Sequence, residues 1–278
     1  MMPGMPANVH LETNRAQFRL PPGLDGVELY RAHMLSHTFE PHSHDAFGLG
    51  IIDAGAERFR YRGALHLAPR QSLVMMNPDE LHTGEAVTEE GWRYRMIYIV
   101  PPTLFALSGE SGWWFGDAVR QDPARALVLS RLLDALWHGQ DALCCAGLLL
   151  EIACLLRPHA RVAERPRQEA PHRLDRVRDY IVAYYAHVIT LKEMADLVSM
   201  SPYHFLRQFK ARFHATPHQM LMAYRLNQAK RMLARGMAAA DVAAAAGLTD
   251  QAHLTRAFAL RYGTTPVRYQ KQVVSAAC

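Results

Sequence analysis

Residues 199–217, SMSPYHFLRQFKARFHATP, and residues 248–266, LTDQAHLTRAFALRYGTTP, are two versions of one pattern set 49 positions apart. His204/His253, Arg207/Arg256, Phe209/Phe258, Arg212/Arg261, Thr216/Thr265 and Pro217/Pro266 are identical pairs, and both versions close on Thr-Pro. Repetition of this kind marks one supersecondary unit used twice. Each copy follows a short apolar helical pattern, LKEMADLV from Leu191 and DVAAAAG from Asp241. A helix, a tight turn and a second helix opened by Ser201 or Asp250 make a helix-turn-helix unit.

The second helix of each unit has a readable outer face. Pro202 sits at a first helical position, where a missing N–H costs little. Phe205 and Phe209 lie four apart and anchor one side, so the opposite side is centred on Tyr203, Arg207 and Lys210 with Leu206 on its flank. In the second copy Leu254 and Phe258 anchor, and Ala252 and Arg256 face outward with Gln251, His253 and Thr255 beside them. Arginine at such positions offers two parallel hydrogen bonds to guanine, glutamine pairs with adenine, and threonine contacts the thymine methyl. Lys210, Arg212 and Arg261 suit phosphates, which add affinity without sequence choice. Between the copies Pro217–Leu233 reads as one helix, and its 17 residues span about 26 Å at 1.5 Å each. With its flanking turns this approaches the ~34 Å between successive major-groove turns, so one chain can present both reading helices to one side of a duplex.

Charge agrees with that reading. The formal net charge is +5, but residues 1–171 hold 16 Arg and no Lys against 20 acidic residues, a net of −4. Residues 172–278 hold 15 basic against 6 acidic residues, a net of +9. Such asymmetry points to a polyanion-binding module joined to something else. The join is residues 158–171, PHARVAERPRQEAP, with three prolines and many charges, which read as an exposed linker.

Upstream, residues 29–100 read as short strands with turns at Asp53-Ala54-Gly55, Arg62-Gly63 and Asn77-Pro78-Asp79, which suggests a small barrel or sandwich. Trp92, Tyr94, Met96, Tyr98 and Val100 form its longest apolar stripe. Residues 123–157 switch to helical period as a pair of helices, one stopping near Gly139 and one before Pro158. The pair covers the barrel or forms a dimer seam. The apolar run Ala142–Leu156 is interrupted by Glu151 and reads as too short to cross a bilayer. No basic stretch followed by an apolar core opens the chain, and Cys144, Cys145, Cys154 and Cys278 include no C-x-x-C. Secreted, membrane-spanning and zinc-finger classes are set aside in favour of a cytoplasmic protein. Cys144-Cys145 lies on an apolar helical stretch and reads as core.

His42-x-His44 places two imidazoles on one side of a strand, and His82 can join them across a barrel. Three histidines with an open position suit zinc, iron or another divalent metal. The same three also suit packing or hydrogen bonding at the mouth without metal. There is no phosphate-cradling Gly-rich loop and no G-x-S-x-G, so no other catalytic constellation competes.

Residues 173–272 resemble the AraC/XylS family of transcriptional regulators. The likeness rests on Leu191, Ala195, Ser201-Pro202, Phe205 and Phe209-Lys210, on Tyr224-Arg225-Leu226, Ala229 and Leu233, and on Gly247, Asp250-Gln251, Phe258, Tyr262-Gly263-Thr264-Thr265-Pro266 and Tyr269. Leu248 and Leu254 stand where aromatic residues are usual, and His214 replaces the usual glycine that closes the first unit. The amino-terminal part resembles the cupin-like sensor domain of that family, through Pro41-His42-Ser43-His44, the turn at Gly55 and the run from Asn77 to Gly84. Metal cupins add a glutamate a few residues after the second histidine, where this chain has Gly48 and Leu49.

The resemblance implies an α+β multidomain protein. A cupin-like β-barrel with a helical pair (1–157) would bind a small effector through His42, His44 and His82 and dimerise. A linker (158–171) would lead to an all-α tandem helix-turn-helix domain (172–278). Tyr203, Leu206, Arg207 and Lys210, with Gln251, His253, Thr255 and Arg256, would meet DNA. The expected partners are double-stranded DNA, a small-molecule effector, RNA polymerase and a second copy of the chain. No cofactor and no enzyme activity are expected. A metal-dependent cupin enzyme, or a metal sensor, fused to a DNA-binding domain is the alternative.

Overall fold

The computed structural model describes residues 14–162 and 173–274. Among the described residues one sheet takes nine strands from Arg15 to Gln121: β1 (Arg15–Arg19), β2 (Val27–Met34), β3 (Thr38–His42), β4 (Phe47–Tyr61), β5 (Ala64–Pro69), β6 (Ser72–Met76), β7 (His82–Ala86), β8 (Trp92–Ile99) and, after α1 (Pro101–Ser108) and the short β9 (Trp113–Phe115) that lies outside this sheet, β10 (Val119–Gln121). The main hydrogen-bonded order is β1-β2-β8-β4-β6-β10, with β5 and β7 on the second half of β4 and β3 on β7. Every pairing among the described strands is antiparallel.

The strand that organises this arrangement is β4. Its 15 residues pair with β8 and β6 at the start and with β5 and β7 at the end. The register slips between Ile52 and Ala54, and Gly55 has φ +69°. A Cβ on Gly55 would lie 2.0 Å from the Gly91 carbonyl oxygen, so no other residue fits the close approach to β8. The turn expected at residues 53–55 is therefore a bulge inside one strand, and it folds the sheet over. Among the described strands the ladder does not close on itself, so the expected barrel is a folded-over sheet of the same class. The expected turns at Arg62-Gly63 and Asn77-Pro78-Asp79 are present, with Arg62 and Asp79 both at positive φ.

The helical pair is as expected. Asp122 caps α2 (Pro123–His138) by accepting from the Arg125 N–H, and Asp141 caps α3 (Ala142–Leu156) by accepting from the Cys144 N–H. Leu129, Leu133 and Leu136 of α2, with Cys145, Leu149, Ile152 and Leu156 of α3, pack on Leu29, Leu49, Ile51, Ile97 and Ile99 of the sheet. This covers one sheet face. Cys145 is buried as expected, Cys144 is exposed against its expected core placement, Cys154 is also exposed on α3, and Cys278 lies outside the described residues. By length and composition the stretch Ala142–His159 does meet the requirement for a bilayer span, which the shorter reading of this run missed. Residues 157–162, in part counted as linker, form a 3-10 turn (Arg157–His159) and β11 (Ala160–Val162), which pairs with β9. Residues 163–171 of the expected linker lie outside the described residues.

The carboxy-terminal region is helical throughout: α4 (Asp175–Tyr184), α5 (Leu191–Asp196), α6 (Pro202–Phe213), α7 (Pro217–Ala234), α8 (Ala239–Ala245), α9 (Gln251–Tyr262) and α10 (Pro266–Val274). Thr190 and Thr216 form capping boxes with Glu193 and Gln219. Ser201 and Asp250 cap α6 and α9 by accepting from His204 and His253 N–H groups. Both units close on a left-handed residue, His214 (φ 55°) in the first and Gly263 (φ 67°) in the second. The two units are packed differently. The first has its own core, with Leu174, Val177, Ile181, Met194, Phe205, Phe209 and Leu221. The second shares a core with the other sheet face, where Leu226, Leu233, Phe258, Tyr262 and Tyr269 join Phe18, Tyr30, Met34, Phe59 and Trp92.

Candidate functional site

Two features converge on α9. The first is a small cavity of about 30 Å³ between the second sheet face and α9, lined by His42, His44, His82, Glu57, Tyr94, Tyr98, Arg261 and Tyr262 among others. Strand pairing builds it: His42 of β3 lies opposite His82 of β7, and His82 in turn lies opposite Tyr61 of β4. His44 follows two residues after His42 on the same side. The three ring centroids are 4.2, 5.2 and 5.3 Å apart. The three histidines named from the sequence are thus brought together, all buried.

Their protonation follows from what surrounds them. The Nδ1 of His42 is 2.7 Å from the Glu40 carbonyl, and that of His82 is 3.1 Å from the Glu80 carbonyl. A carbonyl only accepts, so each Nδ1 carries the proton and each Nε2 is left with a free lone pair. Burial, then the neighbouring ring His82 and the Arg261 guanidinium, hold His42 well below the usual imidazole value. Burial does the same to His44, aided by His42 and His82, and holds His82 down at about 4. All three are neutral at pH 7. Glu57 shares the cavity, and burial alone pushes its carboxyl up to about 8. The sequence reading missed Glu57, although it alternates with Phe59 and Tyr61 on the inward side of β4.

The cavity's roof comes from the other region of the chain. Arg261 is buried and donates to the carbonyl of Ala223, at 2.6 Å, and to that of Ser43, between the two sequence-predicted histidines. The expectation that Arg261 meets phosphate is thereby overturned: it sits three residues after Phe258, on the anchoring face, with the sheet against it. Around it, Lys230 of α7 bonds the Glu28 carboxylate, Tyr269 donates to Glu28 at 2.8 Å, Asn227 donates to Asp45 at 3.2 Å, and Arg231 pairs with Asp45. The Tyr30 hydroxyl bonds the Tyr262 carbonyl at 3.4 Å, and a His37 ring nitrogen lies 3.0 Å from the Leu260 carbonyl, where it donates.

The second feature is the outer face of the two repeated helices. On α6, Phe205 and Phe209 are fully buried, while Tyr203, Arg207 and Lys210 are exposed and Leu206 is half-buried. On α9, Leu254 and Phe258 are fully buried, Gln251 and Arg256 are exposed, and His253 and Thr255 are half-buried. Tyr203, Arg207, Lys210 and Arg256 lie on the side opposite the anchoring residues, Gln251 is exposed at the start of α9, and Leu206, His253 and Thr255 are on the flanks. Arg212, the repeat partner of Arg261, stays half-exposed, 3.8 Å from Asp175. Between the units α7 runs 18 residues, about 27 Å at 1.5 Å per residue.

A tandem helix-turn-helix module with two exposed outer helix faces, joined to a strand-rich domain, defines a DNA-binding class of protein. Residues 26–153 match the AraC-like ligand binding domain and residues 194–272 match a helix-turn-helix domain. The chain belongs to the AraC family of transcriptional regulators. It is 27% identical over 237 residues to the uncharacterized HTH-type transcriptional regulator YbfI of Bacillus subtilis, covering 82% of this chain and 86% of that one. It is 24% identical over 245 residues to the probable transcriptional regulator LumQ of Photobacterium leiognathi, covering 84% and 92%. Among solved structures, ToxT from Vibrio cholerae superposes with a TM-score of 0.55 at 9% identity, over 94% of this chain and 98% of that one. ToxT has also been crystallised with an unsaturated fatty acid bound.

Proposed function

We propose that this regulator is controlled by a small effector bound in the histidine-lined cavity, and that it acts as a regulator rather than as an enzyme. The observation that carries the reading is that one helix serves both sites. The amino-terminal half of α9 presents Gln251, His253, Thr255 and Arg256 outward, and its carboxy-terminal end puts Arg261 and Tyr262 into the cavity wall. A ligand that binds the cavity better in one position of α9 than another shifts that helix's population, which is the differential interaction a switch requires. The chain then divides into an effector domain (1–157), a linker (158–171) that gives up residues 158–162 to the effector domain through β11, and a DNA module (172–278), in a cytoplasmic homodimer that contacts RNA polymerase.

In this reading Tyr203, Leu206, Arg207 and Lys210 meet one major-groove segment and Gln251, His253, Thr255 and Arg256 the next. Selection from a random duplex pool should return a site with two blocks about one helical turn apart. A pool that returns no enriched sequence overturns the reading. Arg256→Ala should cost ~1–3 kcal/mol of binding to the selected site and relax preference at one base pair. Uniform weakening across all sequences would reassign Arg256 to phosphate contact. Lys210→Ala should leave the selected sequence unchanged and lower the slope of log affinity against log salt by about one. Both are read by titrating labelled duplexes at several salt concentrations.

A further inference from the structure

Organic effectors fill pockets of roughly 300–1,000 Å³, whereas the cavity under α9 measures about 30 Å³. That is room for an ion and a water or two. Its chemistry is equally specific. The candidate donor nitrogens of His42, His44 and His82 all lie within 4.8 Å of one another. Two of the rings are held by Nδ1–H bonds to backbone carbonyls, the arrangement that orients imidazoles for ligation through Nε2. The Nε2 of His44 is buried and has no hydrogen-bond partner, an arrangement costly to keep without a ligand. Glu57 adds a buried carboxyl on the same wall.

We propose that the cavity is a binding site for a divalent transition-metal ion, ligated by Nε2 of His42, His44 and His82 and charge-balanced by Glu57, and that the ion is the signal that moves α9. Three neutral imidazoles suit zinc, cobalt(II) or iron(II) rather than magnesium or calcium. Glu57, thirteen residues after His44 and beyond the bulge of β4, lines the same cavity but is outside the group of donors within 4.8 Å of one another, so it balances charge and does not replace the ligand missing at Gly48–Leu49. The coupling is electrostatic. Arg261 enters the same cavity, and a divalent cation there repels its guanidinium. Its bonds to Ser43 and Ala223 are then weakened, and the end of α9 loosens from β3. The inference rests on the effector reading above and names its ligand class.

The test uses the full chain, stripped with chelator and then dialysed against cobalt(II) or zinc(II). The expected result is about one ion per chain, a cobalt visible spectrum of nitrogen and oxygen ligation, and at least tenfold weaker binding in His82→Gln and in Glu57→Gln. DNA affinity of the wild type should shift by about 5- to 150-fold on zinc addition and stay fixed in His82→Gln. Circular dichroism checks that each variant folds, and the cobalt spectrum of the wild type stands as evidence even where a variant does not. No bound cobalt, or binding unchanged in both variants, overturns the metal proposal. A chain that selects its DNA site but binds no metal loses only this inference. A chain that selects no DNA sequence loses the regulatory reading whatever metal it holds.

Discussion

Phe209→Ala is expected to destabilise the first helix-turn-helix unit by about 3–5 kcal/mol, the cost of removing a buried phenylalanine and leaving a cavity. Phe209 is fully buried, with its ring 5.5 Å from Phe205 and 4.6 Å from Phe213. The core it belongs to is small and local, built by α4, α5, α6 and the start of α7. It shares nothing with the sheet, so little elsewhere can absorb the loss. The variant should therefore show a separate early transition in thermal or urea unfolding, with hydrogen exchange accelerated in residues 174–213 and protection retained in the sheet. Phe258→Ala, the matching change in the second copy, removes an equally buried ring from a core continuous with Tyr30, Met34 and Trp92. It should lower the main transition instead. If Phe209→Ala and Phe258→Ala shift the same single transition, the two units are not energetically distinct.

This asymmetry also explains what was legible in the sequence. The repeat, the caps at Ser201 and Asp250, the anchoring phenylalanines and the outward arginines are local, and a 100° rotation per residue places them without knowledge of the rest of the chain. The convergence of His42, His44 and His82 was legible from the two-residue period of a strand and needed only one cross-strand pairing. Arg261 was misplaced for the opposite reason. Its repeat partner Arg212 stays half-exposed because α6 has no sheet behind it, and nothing near Arg261 in sequence says that α9 does. Likewise Asp53-Ala54-Gly55 looks like a turn, and only pairing with Arg93 and Trp92 makes it a bulge. The stripe of Trp92, Tyr94 and Met96 implied one covered face of β8. Ile97 and Ile99 are as deeply buried on the other, because α2 and α3 cover one side and the carboxy-terminal helices the other.

Glu28→Ala is expected to cost about 3–5 kcal/mol, because it leaves the Lys230 ammonium buried without its counter-charge. Lys230 retains 9% of its side-chain exposure and Glu28 13%, and the Tyr269 hydroxyl also donates to Glu28. Around the ammonium stand the rings of Phe18, Tyr98, Tyr262 and Tyr269, at 4.6 to 5.5 Å, which cannot replace a carboxylate. The pH dependence identifies the cause. Burial, offset in part by Glu28 and reinforced by Arg261, already places the Lys230 pKa below its ordinary 10.5. Between the folded and unfolded values the unfolded chain binds the proton more readily, so stability rises with pH through that window. Removing Glu28 lowers the folded value further and widens the window, so urea midpoints of Glu28→Ala should climb more steeply than those of the wild type from pH 7 towards pH 10. The paired change Glu28→Leu with Lys230→Met should recover most of the loss, since neither charge is then stranded. A Glu28→Ala midpoint that falls without this slope, and that the paired change does not restore, would assign the loss to packing rather than to charge. The same pair ties α7 and α10 to β2. A regulator that moves its second reading helix by changing the cavity must work against this contact, and Glu28→Ala should raise DNA affinity in the absence of any effector if docking restrains α9.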